Sequence, residues 1–321
     1  MPSISVVIPL LNKGQHVERT IRSVLNQTLD DFEIVVVEGG STDNGPELVR
    51  GFKDRRIRII PQCDNRPGVS AARNIGVEEA QSEFVAFLDA DDEWMPTHLE
   101  TLNRLFENHP EAGLYCTAYK IANRNGSVKD ARIREVPDPP WEGLMPRFFR
   151  SVALADNPAW TSVVGIRKGV FQENGGFPEG VWYGEDTCLW GRIALRYPVA
   201  FSWNIGATYH KDAINRLSDK EPPLDPEPIV RELLERIERD KIPDWLRDDV
   251  EEYIASKEIF RASRCIIYGN VDRAVDIASK TRTKLNKRQL ACLKVCCCLP
   301  RRVLFTARKI KHRLEIIGPG L

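Results

Sequence analysis

Three carboxylates close one short apolar run. Phe84-Val85-Ala86-Phe87-Leu88 reads as a strand, and Asp89, Asp91 and Asp92 follow it directly. A strand this apolar is buried on both faces, as in a parallel sheet. Three acids at its carboxyl end cannot all be buried unpaired, because an isolated carboxylate in a low dielectric is too costly. Positive charge is therefore expected beside them. Carboxylate oxygens suit Mg²⁺ or Mn²⁺, ions that keep several waters and also bind substrate phosphates. The carboxyl end of a central strand is where open α/β sheets bind ligands. One reading is a site for a metal and a phosphate-bearing substrate. The other is a capped turn, with Asp91 or Asp92 starting a helix from about Trp94 to Asn108.

The elements that must hold this strand alternate through the first half of the chain. Ile4 to Pro9, Phe32 to Val37 and Ile57 to Pro61 read as apolar strands. His16 to Gln27, Asp43 to Phe52 and Val69 to Ala80 carry helical spacing, with Ser41, Thr42 or Asp43 as caps for the second. This β-α alternation predicts a mostly parallel sheet flanked by helices. Further strands are expected at Gly113 to Ala122, Ser127 to Val136, Ser162 to Ile166 and Ala200 to Tyr209, with helices at Leu144 to Val152 and Glu185 to Arg196. Pro222, Pro223, Pro226 and Pro228 mark a boundary. The expected domains are residues 1–220 and a helical extension over 221–321.

In a parallel sheet, the loops leaving strands one, two and four open at the same edge. They are Pro9-Leu10-Leu11-Asn12-Lys13-Gly14, Glu38-Gly39-Gly40-Ser41-Thr42-Asp43 and the acid loop itself. Gly39 and Gly40 let backbone approach a ligand or adopt positive φ. Arg73, in Gly68-Val69-Ser70-Ala71-Ala72-Arg73-Asn74-Ile75-Gly76, offers a planar fork for a diphosphate or a base. Gly175-Gly176-Phe177 and then Glu185-Asp186 complete the set.

In this order and spacing, from Ile4 to about Ser218, the segments resemble family 2 glycosyltransferases with a GT-A-type fold. The resemblance implies a nucleotide-diphospho-sugar donor and an α/β, Rossmann-like catalytic domain. Pro9, Leu11, Asn12, Glu38, Gly40, Arg73 and Asp89 would contact the donor. Asp91 and Asp92 are the candidates for holding Mn²⁺ or Mg²⁺ on the diphosphate, with His210 as a further metal or phosphate ligand. Asp186 would be the base that takes the proton from an acceptor hydroxyl, which attacks the anomeric carbon opposite the leaving group and inverts it. Glu185 would hydrogen-bond the acceptor or raise the proton affinity of Asp186. Outside the family, an acidic pair at a helix start is also what the helix dipole favours. Trp182 and Trp190 line either the acceptor side or the core. Many relatives carry an aromatic residue at the position of Leu11 and a second acid at that of Gly39. UDP is the default donor base, with GDP and dTDP open. The implied acceptor is a saccharide or lipid-linked saccharide in glycan or polysaccharide assembly.

Bulk properties fit a soluble globular protein. The chain is 42% hydrophobic and 29% charged, with mean hydropathy −0.34 and no net charge. No run approaches ~18 apolar residues, so no membrane span is expected. The N-terminal residues enter a strand directly, so a cytoplasmic location is expected, peripheral on a membrane if the tail docks. Residues 280–321 hold twelve Lys or Arg against one acid, Glu315; that segment is +11 and the remainder −11. Such a tail fits either an anionic membrane surface or a helical bundle with a solvated basic face. No aromatic interleaving accompanies the charge, so nucleic acid is not an expected partner. Cys292, Cys296, Cys297 and Cys298 lack the second ligand pair of a zinc site. They read as reduced thiols on a buried or lipid-near helix face.

Three other functions compete for these residues. A nucleotidyltransferase also ends a strand in metal-binding acids, but its basic Gly-rich first loop is reduced here to Lys13 and Gly14. A non-catalytic nucleotide-sugar binder would not need Asp186. A dinucleotide dehydrogenase lacks its Gly-x-Gly-x-x-Gly after strand one.

Overall fold

Val and Ile dominate β1 (Ile4–Leu10) and β2 (Phe32–Glu38), and nearly every residue of both is buried. The computed structural model describes residues 2–62, 65–220 and 223–298. β3 (Ile57–Pro61), β2, β1 and β4 (Phe84–Phe87) pair side by side in parallel. Helices α1 (Val17–Leu25), α2 (Gly45–Gly51) and α3 (Val69–Glu79) make the crossovers that parallel pairing demands. The fourfold β-α rhythm of the sequence is thus present.

Beyond β4 the sheet is mixed. β9 (Val164–Arg167) runs antiparallel to β4 on one side and to β6 (Leu114–Ala122) on the other. β6 pairs in parallel with the long β10 (Val199–His210). The order is β3-β2-β1-β4-β9-β6-β10-β5, with β7 (Val128–Asp130) on β6 and β8 (Glu142–Leu144) on β10. The expected strand at Ser127 to Val136 is therefore reduced to three residues.

The helix expected from Trp94 starts later. Glu93 and Trp94 form β5, paired antiparallel with Thr208 and Ala207, and α4 runs over His98–Asn108. Neither Asp91 nor Asp92 caps it. Likewise α2 has no side-chain cap. Asp43 instead accepts from the amides of Gly14 (2.7 Å) and Gly45 (3.0 Å), tying two edge loops together.

Helices α5 (Phe148–Leu154), α6 (Lys168–Glu173) and α7 (Glu185–Ala194) complete the first part. α8 (Pro228–Glu238), α9 (Asp244–Ile267), α10 (Val271–Lys280) and α11 (Lys287–Cys298) form the extension. Packing does not divide at residue 220. Ile229, Val230, Leu233, Val250 and Tyr253 belong to the main core, while Ile259 to Leu293 contribute a separate small cluster. An added Cβ on Gly191 would lie 2.6 Å from Ile229 Cδ1, so α7 and α8 touch through a glycine. Cys292 and Cys298 are exposed free thiols, and Cys296 and Cys297 are half-buried and free. Among the described residues no helix is long and apolar enough to cross a membrane. The basic tail from residue 299 onward lies outside them.

α3 lies very close to the sheet. A Cβ on Gly76 would sit 2.3 Å from Val7 Cγ1 and 3.3 Å from Val37 Cγ2. Gly76→Ala is therefore expected to destabilise the fold by about 1–3 kcal/mol through overpacking. The check is a urea titration, in which the midpoint should fall at constant m-value. An unchanged midpoint would mean that α3 stands further from β1 than this.

Candidate active site

β1, β2 and β4 end at one edge, and their loops build the first wall. Asn12 adopts a left-handed conformation (φ 53°), which asparagine tolerates better than most residues. Its Oδ1 accepts from the Thr42 amide (2.8 Å), and its own amide donates to Ser41 Oγ (3.1 Å). Glu38 accepts from the Ser41 amide. Pro9 stays in register with Val37 inside the sheet. Leu11, 51% exposed, and Gly40 with its positive φ face out of the loop pair. These five residues therefore share one edge, with Leu11 offering an apolar surface where an aromatic ring is absent.

Arg73 sits on α3 beneath the acid loop, with only 3% of its surface exposed. One terminal nitrogen donates to Asp89 Oδ1 (2.6 Å) and the other to Glu185 Oε1 (3.0 Å). Its guanidinium lies 5.2 Å from the Phe177 ring centroid. Burial works against the charge, but Asp89 and Glu185 outweigh it and raise the arginine pKa. Asn74 clasps the glycine turn from the same helix: its Nδ2 donates to Phe177 O and its Oδ1 accepts from Phe177 N, both at 2.9 Å. Arg73-Asn74 thus docks the Gly175-Gly176-Phe177 turn and joins Asp89 to Glu185. The expected fork for the donor is instead occupied by two carboxylates of the protein.

The three acids of the loop part company. Asp91 Oδ2 accepts from Lys13 Nζ at 2.6 Å, and the Asp91 carbonyl accepts from Arg19 (2.6 Å). Asp92 turns inward and is buried. Its Oδ2 accepts from Ser162 Oγ (2.8 Å) and its Oδ1 from the His210 amide (2.9 Å). Burial, then the charges of Asp91 and Asp89, push its carboxyl well above the usual carboxylate range. The His210 ring faces Asp212 through Nδ1 (3.0 Å) and Glu93 through Nε2 (3.5 Å), and Nε2 is buried without a hydrogen-bond partner.

The helix start of α7 presents the acid pair. Gly184 provides the left-handed turn before it (φ 75°). Asp186 accepts from the Thr187 amide (2.6 Å) and from Thr161 Oγ1 (3.1 Å). Glu185, held by Arg73, has its carboxyl pushed up to about 7, by burial first and by the Asp186 charge second, against the downward pull of Arg73. Trp190 is fully buried in the core, whereas Trp182 is 37% exposed.

Several site residues left no mark in the sequence. Thr161 and Ser162 form a single 3₁₀ turn before β9 that bonds to Asp186 with one hydroxyl and to Asp92 with the next. Ser162 Oγ also accepts from the Asp89 amide (3.1 Å). Behind α7, Thr187 Oγ1 donates to Glu227 (3.1 Å), which pairs with Lys257 of α9 at 2.9 Å. Only the strand pattern around Ser162 could have drawn attention to this turn.

Do these residues fit a divalent cation? Among the described residues no three His, Cys, Asp or Glu side chains converge on one point. Mg²⁺ and similar ions are often held by one or two carboxylates together with substrate phosphates. Asp91 fits that role, as the carboxylate at the loop edge whose side chain is paired only with Lys13 among the described residues. Asp92, 1% exposed and turned away from the loop edge, does not.

Residues 5–174 match the sequence profile described as Glycosyl transferase family 2. An uncharacterized glycosyltransferase of Rickettsia bellii is 31% identical over 206 residues, 60% of this chain and 26% of the relative. The uncharacterized glycosyltransferase YibD of Escherichia coli is 32% identical over 159 residues, 49% of this chain and 42% of the relative. The chain therefore spans well under two thirds of the length of these relatives. S. aureus TarS, solved in complex with UDP-GlcNAc, superposes with a TM-score of 0.66 at 16% identity, covering 96% of this chain and 92% of that one. The mannosyltransferase PcManGT from Pyrobaculum calidifontis, solved with GDP-Man and Mn²⁺, gives 0.60 at 16% identity, covering 96% and 84%. At such identity the likeness is one of fold, and the fold is GT-A. The profile match covers more than half of the sequence, and the chain belongs to glycosyl transferase family 2.

Proposed function

We propose that this chain is an inverting glycosyltransferase that moves a sugar from a nucleotide-diphospho-sugar to an acceptor hydroxyl in glycan or polysaccharide assembly. The observation that carries the reading is the acid pair at the start of α7, where Asp186 stands beside a Glu185 joined to Asp89 through Arg73. A carboxylate has about four acceptor sites. Thr187 and Thr161 use two of those on Asp186, so lone pairs remain for an acceptor hydroxyl. The two donors fix the orientation of the carboxylate at the start of α7. Glu185, close to half-protonated near neutrality, can donate a hydrogen bond to the acceptor or accept one.

Donor placement follows from the opposite wall. Leu11, Asn12, Glu38 and Gly40 line the edge for the nucleoside, and Asp89 is the partly exposed carboxylate for ribose or sugar. Arg73 acts through Asp89 and Glu185 by fixing both. Lys13 supplies positive charge at the diphosphate position. A divalent cation bound through Asp91, with His210 as the other candidate ligand, would supply Lewis-acid neutralisation of the leaving diphosphate. The complex of PcManGT with GDP-Man and Mn²⁺ supports the general arrangement, and the sugar-nucleotide complexes of both neighbours support the donor class. UDP is the first base to test. A saccharide or lipid-linked acceptor and a cytoplasmic, membrane-peripheral location belong to the same proposal.

A panel of UDP-, GDP- and dTDP-sugars with Mn²⁺ tests this directly. One donor should turn over, and chelation with EDTA should abolish turnover until Mn²⁺ is returned. Asp186→Asn should lower kcat by about 10²-fold or more while donor-induced thermal stabilisation persists. Full activity in that variant would remove Asp186 from the chemistry.

Glu185 gives a pH signature. Its ordinary pKa of 4.5 applies to the unfolded chain, and its folded value is about 7. Between these values the fold retains a proton that the unfolded chain has released. Its contribution is present below the window and is lost as pH rises through it. Denaturant midpoints from about pH 5 to 7.5 should therefore fall more steeply for wild type than for Glu185→Gln. Parallel profiles would contradict the burial assigned to this carboxyl.

A further inference from the structure

Lys13 is enclosed by oxygen. Its ammonium donates to Asp91 Oδ2 (2.6 Å), Asn215 O (3.0 Å) and Ile214 O (3.2 Å). An ammonium has three donors, and all three are engaged. The two side chains are only 14% and 13% exposed, so water and salt screen the pair weakly. Arg19 donates to the carbonyl of the same aspartate. Asp91, the carboxylate that fits a divalent ion, is thus already neutralised by a cation of the protein.

A second cation arriving at Asp91 would meet a fixed positive charge within a few ångströms, where repulsion is strong. The obstacle is relieved when Lys13 gains another anion. A diphosphate placed across the loop edge is such a partner, because lysine is a flexible point charge that readily follows phosphate. Resting on the reading of Asp91 as metal ligand, we propose that Lys13 is an internal counter-cation that couples metal binding to donor binding. It holds Asp91 closed in the free protein and leaves it for the donor diphosphate. The carbonyls of Ile214 and Asn215 are released in the same step. The segment after β10 also contacts the start of α1, where the Ile214 amide donates to His16 Nε2 (3.3 Å). Donor arrival therefore loosens this strap across the site.

The test uses Mn²⁺ alone, with unbound ion followed by electron paramagnetic resonance, on the full chain without donor. Lys13→Met should bind Mn²⁺ about tenfold more tightly than wild type, the equivalent of roughly 1.4 kcal/mol. Lys13→Arg, which keeps the positive charge, should remain as weak as wild type. Asp91→Asn should bind least. Equal Mn²⁺ affinity in wild type and Lys13→Met, with binding still lost in Asp91→Asn, overturns the counter-cation while leaving the metal ligand in place. Undiminished binding in Asp91→Asn overturns the ligand assignment and this inference with it. Wild type gives an independent check should Lys13→Met not fold. UDP or GDP should raise the Mn²⁺ held by the protein at a subsaturating concentration, and no increase with either overturns the coupling.

Discussion

A single buried guanidinium decides where the negative charge of this molecule can stand. Asp89, Asp91, Asp92, Glu185 and Asp186 all gather at the carboxyl edge of the sheet, and such a group would repel itself apart without compensation. Arg73 joins Asp89 to Glu185 with one hydrogen bond to each. Removing one partner from a buried pair costs about 3–5 kcal/mol, because a charge is left uncompensated. The arrangement therefore resists being taken apart one side chain at a time. Phe177 walls the guanidinium, and Asn74 fixes Phe177 through both of its backbone groups. Adjacent residues on α3 thus hold the charges and the turn that covers them.

The remaining acids find different solutions. Asp91 is neutralised by Lys13 in a pair that is mostly, but not wholly, withdrawn from water. Asp92 has no cationic partner among the described residues and is buried, so it relies on a hydroxyl and an amide, and its proton affinity rises. Three carboxylates within four positions of sequence consequently differ in accessibility and in partners. Asp89 is held by Arg73, Asp91 by Lys13, and Asp92 braces the acid loop against β10 and the turn at Ser162.

This division marks how far the sequence could be read. β1 to β4 and their helices were legible, since each rests on local periodicity and a continuous apolar run. So were the acids, Arg73 and the Glu185-Asp186 pair, because type and order suffice to recognise them. Which of Asp91 and Asp92 turns inward was not legible. That depends on Ser162 and on the His210 amide, 70 and 118 residues away. The antiparallel β9 and the early bridge at Glu93-Trp94 escaped for the same reason: strand direction and a two-residue pairing are set by tertiary partners. Arg73 was seen, but its partners were not. A guanidinium suits a phosphate and a carboxylate equally well, and only the fold says which is near.

The helical extension changes meaning on the same grounds. By composition it looks like an appendage beginning at a proline cluster. By packing, its first two helices complete the core around α7, where Gly191 admits Ile229. Lys257 of α9 is largely buried; burial opposes its charge, but Tyr253 and Glu227 raise its pKa. Glu227 in turn accepts from Thr187, whose amide donates to Asp186. A lysine in the extension therefore stands three contacts from the proposed base. Neutralising it would leave Glu227 buried beside the start of α7, and the helix that presents Asp186 would take up the resulting repulsion. The extension's first helices thus share one core with α7, the helix that carries Glu185 and Asp186.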